Sequence, residues 1–251
     1  MSLLIVMFGL LIGSFLNVCI YRIPRGESIA YPQSHCPECL NDIRWYDLIP
    51  IISYTFLRGK CRYCGEKISF KYPLIELLTG GIFLVIYIKF GITFNLIKYL
   101  IMASFLIVIA IIDFETTDVF SITTYSGIAI GILLSIVGLF LNGDSLVDEL
   151  LGAGIGVGII ALIVFLTKGM GEGDIEIAAL CGIFLGWKGM IITLMISFIL
   201  GAIVGILLIV FKIKGKQDAI SFGPYLAIGA LISLLLKSDI INFYLLLFFT
   251  K

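Results

Sequence analysis

Charge is what this chain has least of. Only 14% of its 251 residues are Asp, Glu, Lys or Arg, while 60% are hydrophobic and mean hydropathy is +1.14. A soluble core cannot hide that much apolar surface, which excludes a soluble globular fold and predicts an all-α polytopic membrane protein. Net charge is missing too: seventeen basic and seventeen acidic residues cancel. Bulk electrostatics therefore offer nothing to nucleic acid or acidic ligands, and only the placement of charges carries information. No charged leader or small-residue cleavage site precedes the first apolar run, so Ser2 to Tyr21 is expected to be a retained span. Soluble-type repeats and low-complexity linkers are absent as well.

What the chain does have is a series of long apolar runs. At about 20 residues per helical span, helices are expected near 2–21, 73–88, 94–112, 119–141, 146–167, 175–187, 189–211 and 221–236. That makes eight, with seven as the alternative because the sixth and eighth are short. Ile240 to Phe249 reads either as an interfacial tail or as an extension of the eighth. Eight of the seventeen basic residues fall between Arg22 and Lys71, so the positive-inside rule puts that loop in the cytoplasm. Lys168, Lys212, Lys214 and Lys216 then fall inside, and Lys89, Lys98, Lys188, Lys237 and Lys251 outside. The expected organisation is a first transmembrane helix over 1–21, a small cytoplasmic domain over 22–72 and a transmembrane domain over 73–251.

Few acidic residues interrupt the apolar runs, and two do so at corresponding depths. Asp113 closes Ile111-Ile112-Asp113-Phe114, and Asp174 follows Gly171-Glu172-Gly173. Ionisable groups at membrane depth cost roughly 3 kcal/mol on insertion scales and are kept for function. About two spans separate the pair, which returns both to the same membrane face. Glycines at 169, 171 and 173 free the backbone to break the helix and let main chain approach a substrate. Two carboxylates sharing one proton can hydrolyse a peptide, one as base and one as acid. Interfacial helix capping is the plainer alternative, and Asp174 could cap a helix. Glu115, Asp118, Glu172 and Glu176 crowd the same face, either as solvated loop charges or as an acidic mouth for a basic substrate segment. The stripe Gly152, Gly154, Gly156 and Gly158 resembles a phosphate loop only superficially. Small residues four apart serve close helix packing in lipid, as do Gly201 and Gly205.

Cys36-Pro37-Glu38-Cys39 and Cys61-Arg62-Tyr63-Cys64 stand 21 residues apart in the basic loop. Two such turns complete a tetrahedron of thiolates around Zn²⁺, a closed structural site like a zinc ribbon. A dithiol redox pair is the alternative, and His35 is a neighbour that four cysteines make unnecessary. Cys19 and Cys181 lie in apolar runs as small buried hydrophobes.

Taken in order, these features resemble the type IV prepilin peptidases, the leader peptidase and N-methyltransferase family of GxGD-type membrane aspartyl proteases. The resemblance is carried by Gly13-Ser14-Phe15-Leu16-Asn17-Val18, Tyr21-Arg22-Ile23-Pro24, both cysteine pairs, and Trp45-Tyr46-Asp47. It continues through Arg58-Gly59-Lys60-Cys61, Tyr72-Pro73-Leu74-Ile75-Glu76-Leu77, Asp113-Phe114, Gly171-Glu172-Gly173-Asp174 and Phe222-Gly223-Pro224-Tyr225-Leu226-Ala227. It implies removal of a short basic leader from prepilins or pseudopilins at the cytoplasmic face of the bacterial inner membrane, with Asp113 and Asp174 catalytic. It further implies methylation of the new N-terminus using S-adenosylmethionine. No glycine-rich donor loop is visible, so a methyl-donor site would be built from the basic loop and adjoining helices. The family usually has Pro and then Asp or Asn where this chain has Phe120 and Ser121, and Lys where it has Glu176. Readings from other classes are a proton-coupled transporter or an inactive pilus-assembly scaffold. No motif bears on oligomeric state.

Overall fold

The computed structural model describes residues 1–167, 170–212 and 221–249; Lys168, Gly169, Lys214, Lys216 and Lys251 lie outside them. Among the described residues there are no strands, and seven helices are long and apolar enough to cross a membrane. The chain is a multi-pass membrane protein. It divides into two compact units, Met1–Val108 and Ile109–Lys251.

In the first unit, α1 (Ser2–Arg22) packs antiparallel on α3 (Lys71–Phe90). Glycine permits the close approach. A Cβ on Gly9 would sit 2.8 Å from Gly80 Cα, and one on Gly13 2.8 Å from Glu76 Cα. The Asn17 amide donates to the Tyr72 carbonyl at 3.1 Å, fixing the register where the loop begins. Between these helices lies a small segment with short 3₁₀ turns at Ile23–Arg25 and Trp45–Leu48, the one-turn α2 (Ile52–Phe56) and two isolated bridges, His35 with Asp42 and Lys60 with Lys67. Helix α4 (Phe94–Thr116) leads into the second unit.

The second unit holds the end of α4, α5 (Ser121–Asn142), α6 (Leu146–Thr167), α7 (Gly173–Val210) and α8 (Gly223–Phe249). The 38 residues of α7 do not form one rod. A straight helix would carry Gly201 about 40 Å beyond Asp174. Yet Gly201 packs against Phe222 and Tyr225, while the adjacent Gly223 faces Asp113 and Ile177. The chain therefore reverses, and it does so at Gly186 (φ 70°, ψ 177°). Glycine is required there twice over, because the backbone is left-handed and a Cβ would collide with Asp148. The break leaves helix carbonyls without partners, and Lys237 donates to that of Leu185 at 3.4 Å.

The first arm of α7 runs antiparallel to α6 and the second antiparallel to α8, where Ser233 and Ser197 donate to the carbonyls of Gly189 (2.8 Å) and Tyr225 (3.0 Å). Counted by arms, the apolar segments among the described residues number eight, with the predicted sixth and seventh parting at Gly186. The segment from Ile240 onward continues α8 to Phe249.

Packing in this unit centres on the first arm of α7, where Ile177, Ala178, Leu180 and Cys181 are fully enclosed and Phe184 is 1% exposed. Gly152 and Gly156 let α6 approach it. Their Cβ atoms would fall 2.6 Å from Gly182 O and 2.9 Å from Ala178 O. Gly154 and Gly158 face the other way and meet nothing within 4 Å, so only half of the glycine stripe packs.

Candidate active site and metal centre

Asp113 reaches the site from the last turns of α4, and Asp174 from the first turn of α7. Both are buried, at 3% and 5% exposure, in a chain whose other loop acids Glu115, Asp118 and Glu172 are exposed. Gly223 packs against both Asp113 and Ile177, which lies about one turn beyond Asp174, so the two aspartates enter the same region. Each is oriented by one backbone amide: Gly223 N–H donates to Asp113 Oδ2 at 2.8 Å, and Gly171 N–H to Asp174 Oδ2 at 3.2 Å.

Both donors follow from chain geometry. Gly223 opens α8, where the first amides have no partner within the helix, and Pro224 follows at a position that needs none. Gly171 begins the turn that Asp174 N–H closes on Gly171 O at 3.1 Å. Gly173 serves a third purpose, because a Cβ there would collide with Val119. The close approach it permits is thus by the α4–α5 connection, whereas Gly171 stays open and exposed.

Gly223 is the participant that the residue types did not reveal. A backbone donor has no side-chain signature, and the sequence cues were Gly-Pro before an apolar run and the place of Phe222-Gly223-Pro224 among the motifs of the resemblance. A Cβ at Gly223 would stand 2.5 Å from Asp113 Oδ2 and 2.9 Å from Ile177 Cδ1. Gly223→Ala is therefore expected to displace the Asp113 carboxylate and lower turnover about 100-fold, the scale of a 1 Å misplacement. Comparing kcat with thermal stability for the purified variant checks it, since the helix itself should melt nearly as before.

Glu176, two residues beyond Asp174, is half-buried and tied to α5. Ser121 Oγ donates to its Oε1 at 2.9 Å, Thr124 Oγ1 to Oε2, and the Tyr125 hydroxyl also engages it. Two of the three positions that depart from the usual family pattern, 121 and 176, are bonded to each other.

The four cysteines of the basic loop converge. Their sulfurs lie within 4.8 Å of one another, with Cys36 to Cys64 at 3.9 Å and Cys39 to Cys61 at 4.0 Å. A tetrahedron with bonds of about 2.3 Å has edges of about 3.8 Å, so the donor set fits Zn²⁺. The two turns are equivalent. Cys36 N–H donates to Asn41 O and Cys61 N–H to Glu66 O, while Leu40 N–H returns to Cys36 O and Gly65 N–H to Cys61 O. The residue after each second cysteine, Leu40 or Gly65, is left-handed. Amides of Cys64 and Tyr63 aimed at Cys61 lower its thiol pKa, while, against the Glu66 amide, desolvation and the neighbouring thiols push that of Cys64 up, as expected of a cluster in which sulfurs crowd together. The Arg62 guanidinium forks onto Asp47 at 2.8 and 2.5 Å and holds that carboxyl below its ordinary range. His35 is occupied with Gln33 O at 3.1 Å.

Comparison with known proteins covers both units of the chain. The bacterial peptidase A24 N-terminal domain matches residues 7–90, and the type IV leader peptidase family matches residues 100–206. A Bacillus subtilis protein named prepilin leader peptidase/N-methyltransferase is 36% identical over 95% of each chain. A Pseudomonas aeruginosa protein of the same name is 31% identical over 96% of this chain and 92% of its own. A Myxococcus xanthus protein so named is 38% identical over 80% of this chain, which spans 61% of that longer relative. No solved structure matches. Two family domains in sequence, and end-to-end relatives above 30% identity, place this chain in the type IV leader peptidase family.

Proposed function

We propose that the chain is a membrane aspartyl endopeptidase that removes the basic leader from prepilins or pseudopilins and then methylates the new N-terminus. The observation that carries the reading is a pair of buried aspartates, each held by a backbone amide, in a chain of this family. Asp113 and Asp174 are the catalytic pair. One carboxylate takes a proton from water as its oxygen adds to the scissile carbonyl, and the other, protonated, donates to the carbonyl oxygen and later helps the amine leave. Their apparent pKa values belong to the pair.

The exposed carboxylates Glu115, Asp118 and Glu172, with the charge of Glu176 behind them, form an acidic mouth for the Lys and Arg of the leader. Cleavage takes place at the cytoplasmic face of the inner membrane. Eight basic residues in the loop after α1 support that orientation, and an even number of passes brings both aspartates to the same side. Zn²⁺ is structural, held by Cys36, Cys39, Cys61 and Cys64. S-adenosylmethionine is the methyl donor. A transporter would give no reason for the four-cysteine cluster.

Incubating the purified protein with a prepilin in detergent is expected to give a shortened product whose N-terminal fragment is heavier by one methyl group when the donor is supplied. An uncut substrate would overturn the reading.

The Ser121–Glu176 bond makes a separate prediction. Where the family usually has Asp or Asn at one position and Lys at the other, this chain has Ser121 and Glu176, and the two bond to each other. Glu176→Lys alone sets an ammonium against hydroxyls, and Ser121→Asp alone sets two carboxylates together. Each is expected to slow cleavage and lower the melting temperature. The double variant should recover most of both, with a coupling of about 1–3 kcal/mol. A double-mutant cycle on thermal stability reads this directly.

A further inference from the structure

The first unit encloses a cavity of about 390 Å³, inside the range of about 300–1,000 Å³ of small-molecule sites. It lies where the cysteine turns rest on α1 and α3. Its walls include Val18 and Arg22 of α1, Asp47 and Tyr54 of the loop, and Tyr72 and Glu76 of α3.

Two of these groups are charged yet almost wholly buried. Arg22 is 4% exposed and has two N–H contacts, to Ser28 O at 2.8 Å and Gln33 O at 3.2 Å. A guanidinium has five donors, and the remainder suit a carboxylate. Glu76 is 7% exposed and accepts from Ile51 N–H at 2.8 Å and from the Ser14 hydroxyl. Its further lone pairs suit a cation or sugar hydroxyls. Tyrosine rings offer faces for a flat heterocycle, and the Asp47 carboxylate, taken up by Arg62, leaves Glu76 as the acid enclosed between the helices. The lining therefore suits a ligand that carries a carboxylate, a cationic or hydroxyl group and a flat ring.

We propose that this cavity is the S-adenosylmethionine site, with Arg22 on the donor's carboxylate and Glu76 on its cationic or hydroxyl groups. The assignment rests on the methyl-transfer half of the reading above. When bound, the donor supplies a methyl group: the lone pair of the trimmed pilin's amine forms the N–C bond, the S–CH₃ bond breaks with its electrons left on sulfur, and the surplus proton on nitrogen passes to water. Cys36 and Cys61 also line the cavity, so the metal turns form part of its wall.

The test is calorimetric titration of the zinc-loaded full chain in detergent with sinefungin, an amine analogue that transfers no methyl group, and with ATP as control. Wild type is expected to bind sinefungin and to ignore ATP. Val18→Trp fills the cavity and Glu76→Gln removes the charge while keeping the shape, so each should weaken sinefungin about tenfold or more. Zinc content and gel-filtration profile identify a misfolded variant, and should Val18→Trp lose zinc, Glu76→Gln decides. Wild-type affinity in both folded variants, or equal binding of ATP, overturns the assignment even if the pilin is methylated. No sinefungin binding by wild type together with an unmethylated product overturns the methyl-transfer reading and the assignment with it.

Discussion

Asp113→Asn and Asp174→Asn are each expected to lower leader removal by about 10⁴-fold, the upper end of what one proton-transfer group contributes. Asparagine is isosteric and keeps a carbonyl oxygen to accept from Gly223 or Gly171, so the backbone frame should survive. What it loses is the ability to take or give a proton, and one positioned proton-transfer group contributes about 10²–10⁴ in rate. Because the pair acts as a unit, the double variant should be scarcely slower than either single one.

Stability should respond in the opposite sense. Each carboxyl is buried in apolar surroundings, so replacing it with a neutral amide removes a desolvation cost and should leave the melting temperature unchanged or raised. Prepilin cleavage by gel and mass spectrometry, beside thermal denaturation of the same samples, checks both halves. Retained cleavage in either variant would end the two-aspartate mechanism.

That pair was legible in the sequence because burying charge in lipid is costly enough to make each intramembrane acid conspicuous. Matched cysteine spacing was legible for a similar reason, since few other arrangements require it. The reversal in α7 could be placed within two residues because Gly186-Trp187-Lys188 interrupts an otherwise apolar run.

Other features depend on contacts that no local pattern encodes. Gly223 works through its amide, and it meets Asp113 from 110 residues away. Glu176 looked like a mouth charge, but its hydroxyl partners lie 52 and 55 residues distant, on α5. Gly152, Gly154, Gly156 and Gly158 put small residues on two faces of α6, and only the position of α7 decides which face packs. The extension of α8 past Lys237 and Asp239 was ambiguous because polar residues end an apolar run without ending a helix.

Replacing one cysteine of each pair, as in Cys36→Ser with Cys61→Ser, is expected to take bound zinc from about one per chain to nearly none and to unfold the loop locally. The physical reason is how little else the segment buries. Among residues 23–70 only Cys36 and Pro50 are buried, while Trp45, Phe56 and Phe70 stand 78%, 81% and 65% exposed. Segments this small seldom hold together by hydrophobic burial alone, whereas a closed zinc site supplies an apparent 10–16 kcal/mol or so of folding free energy. The Arg62–Asp47 bridge cannot substitute, since exposed ion pairs contribute about 0–1 kcal/mol. Metal analysis of the purified variant and limited proteolysis within 23–70 measure the effect, with α1 and α3 expected to persist because their contact runs through Gly9, Gly13 and Gly80 and needs no metal. If the doubly substituted loop kept its zinc and its protease resistance, the four sulfurs would not be what holds it.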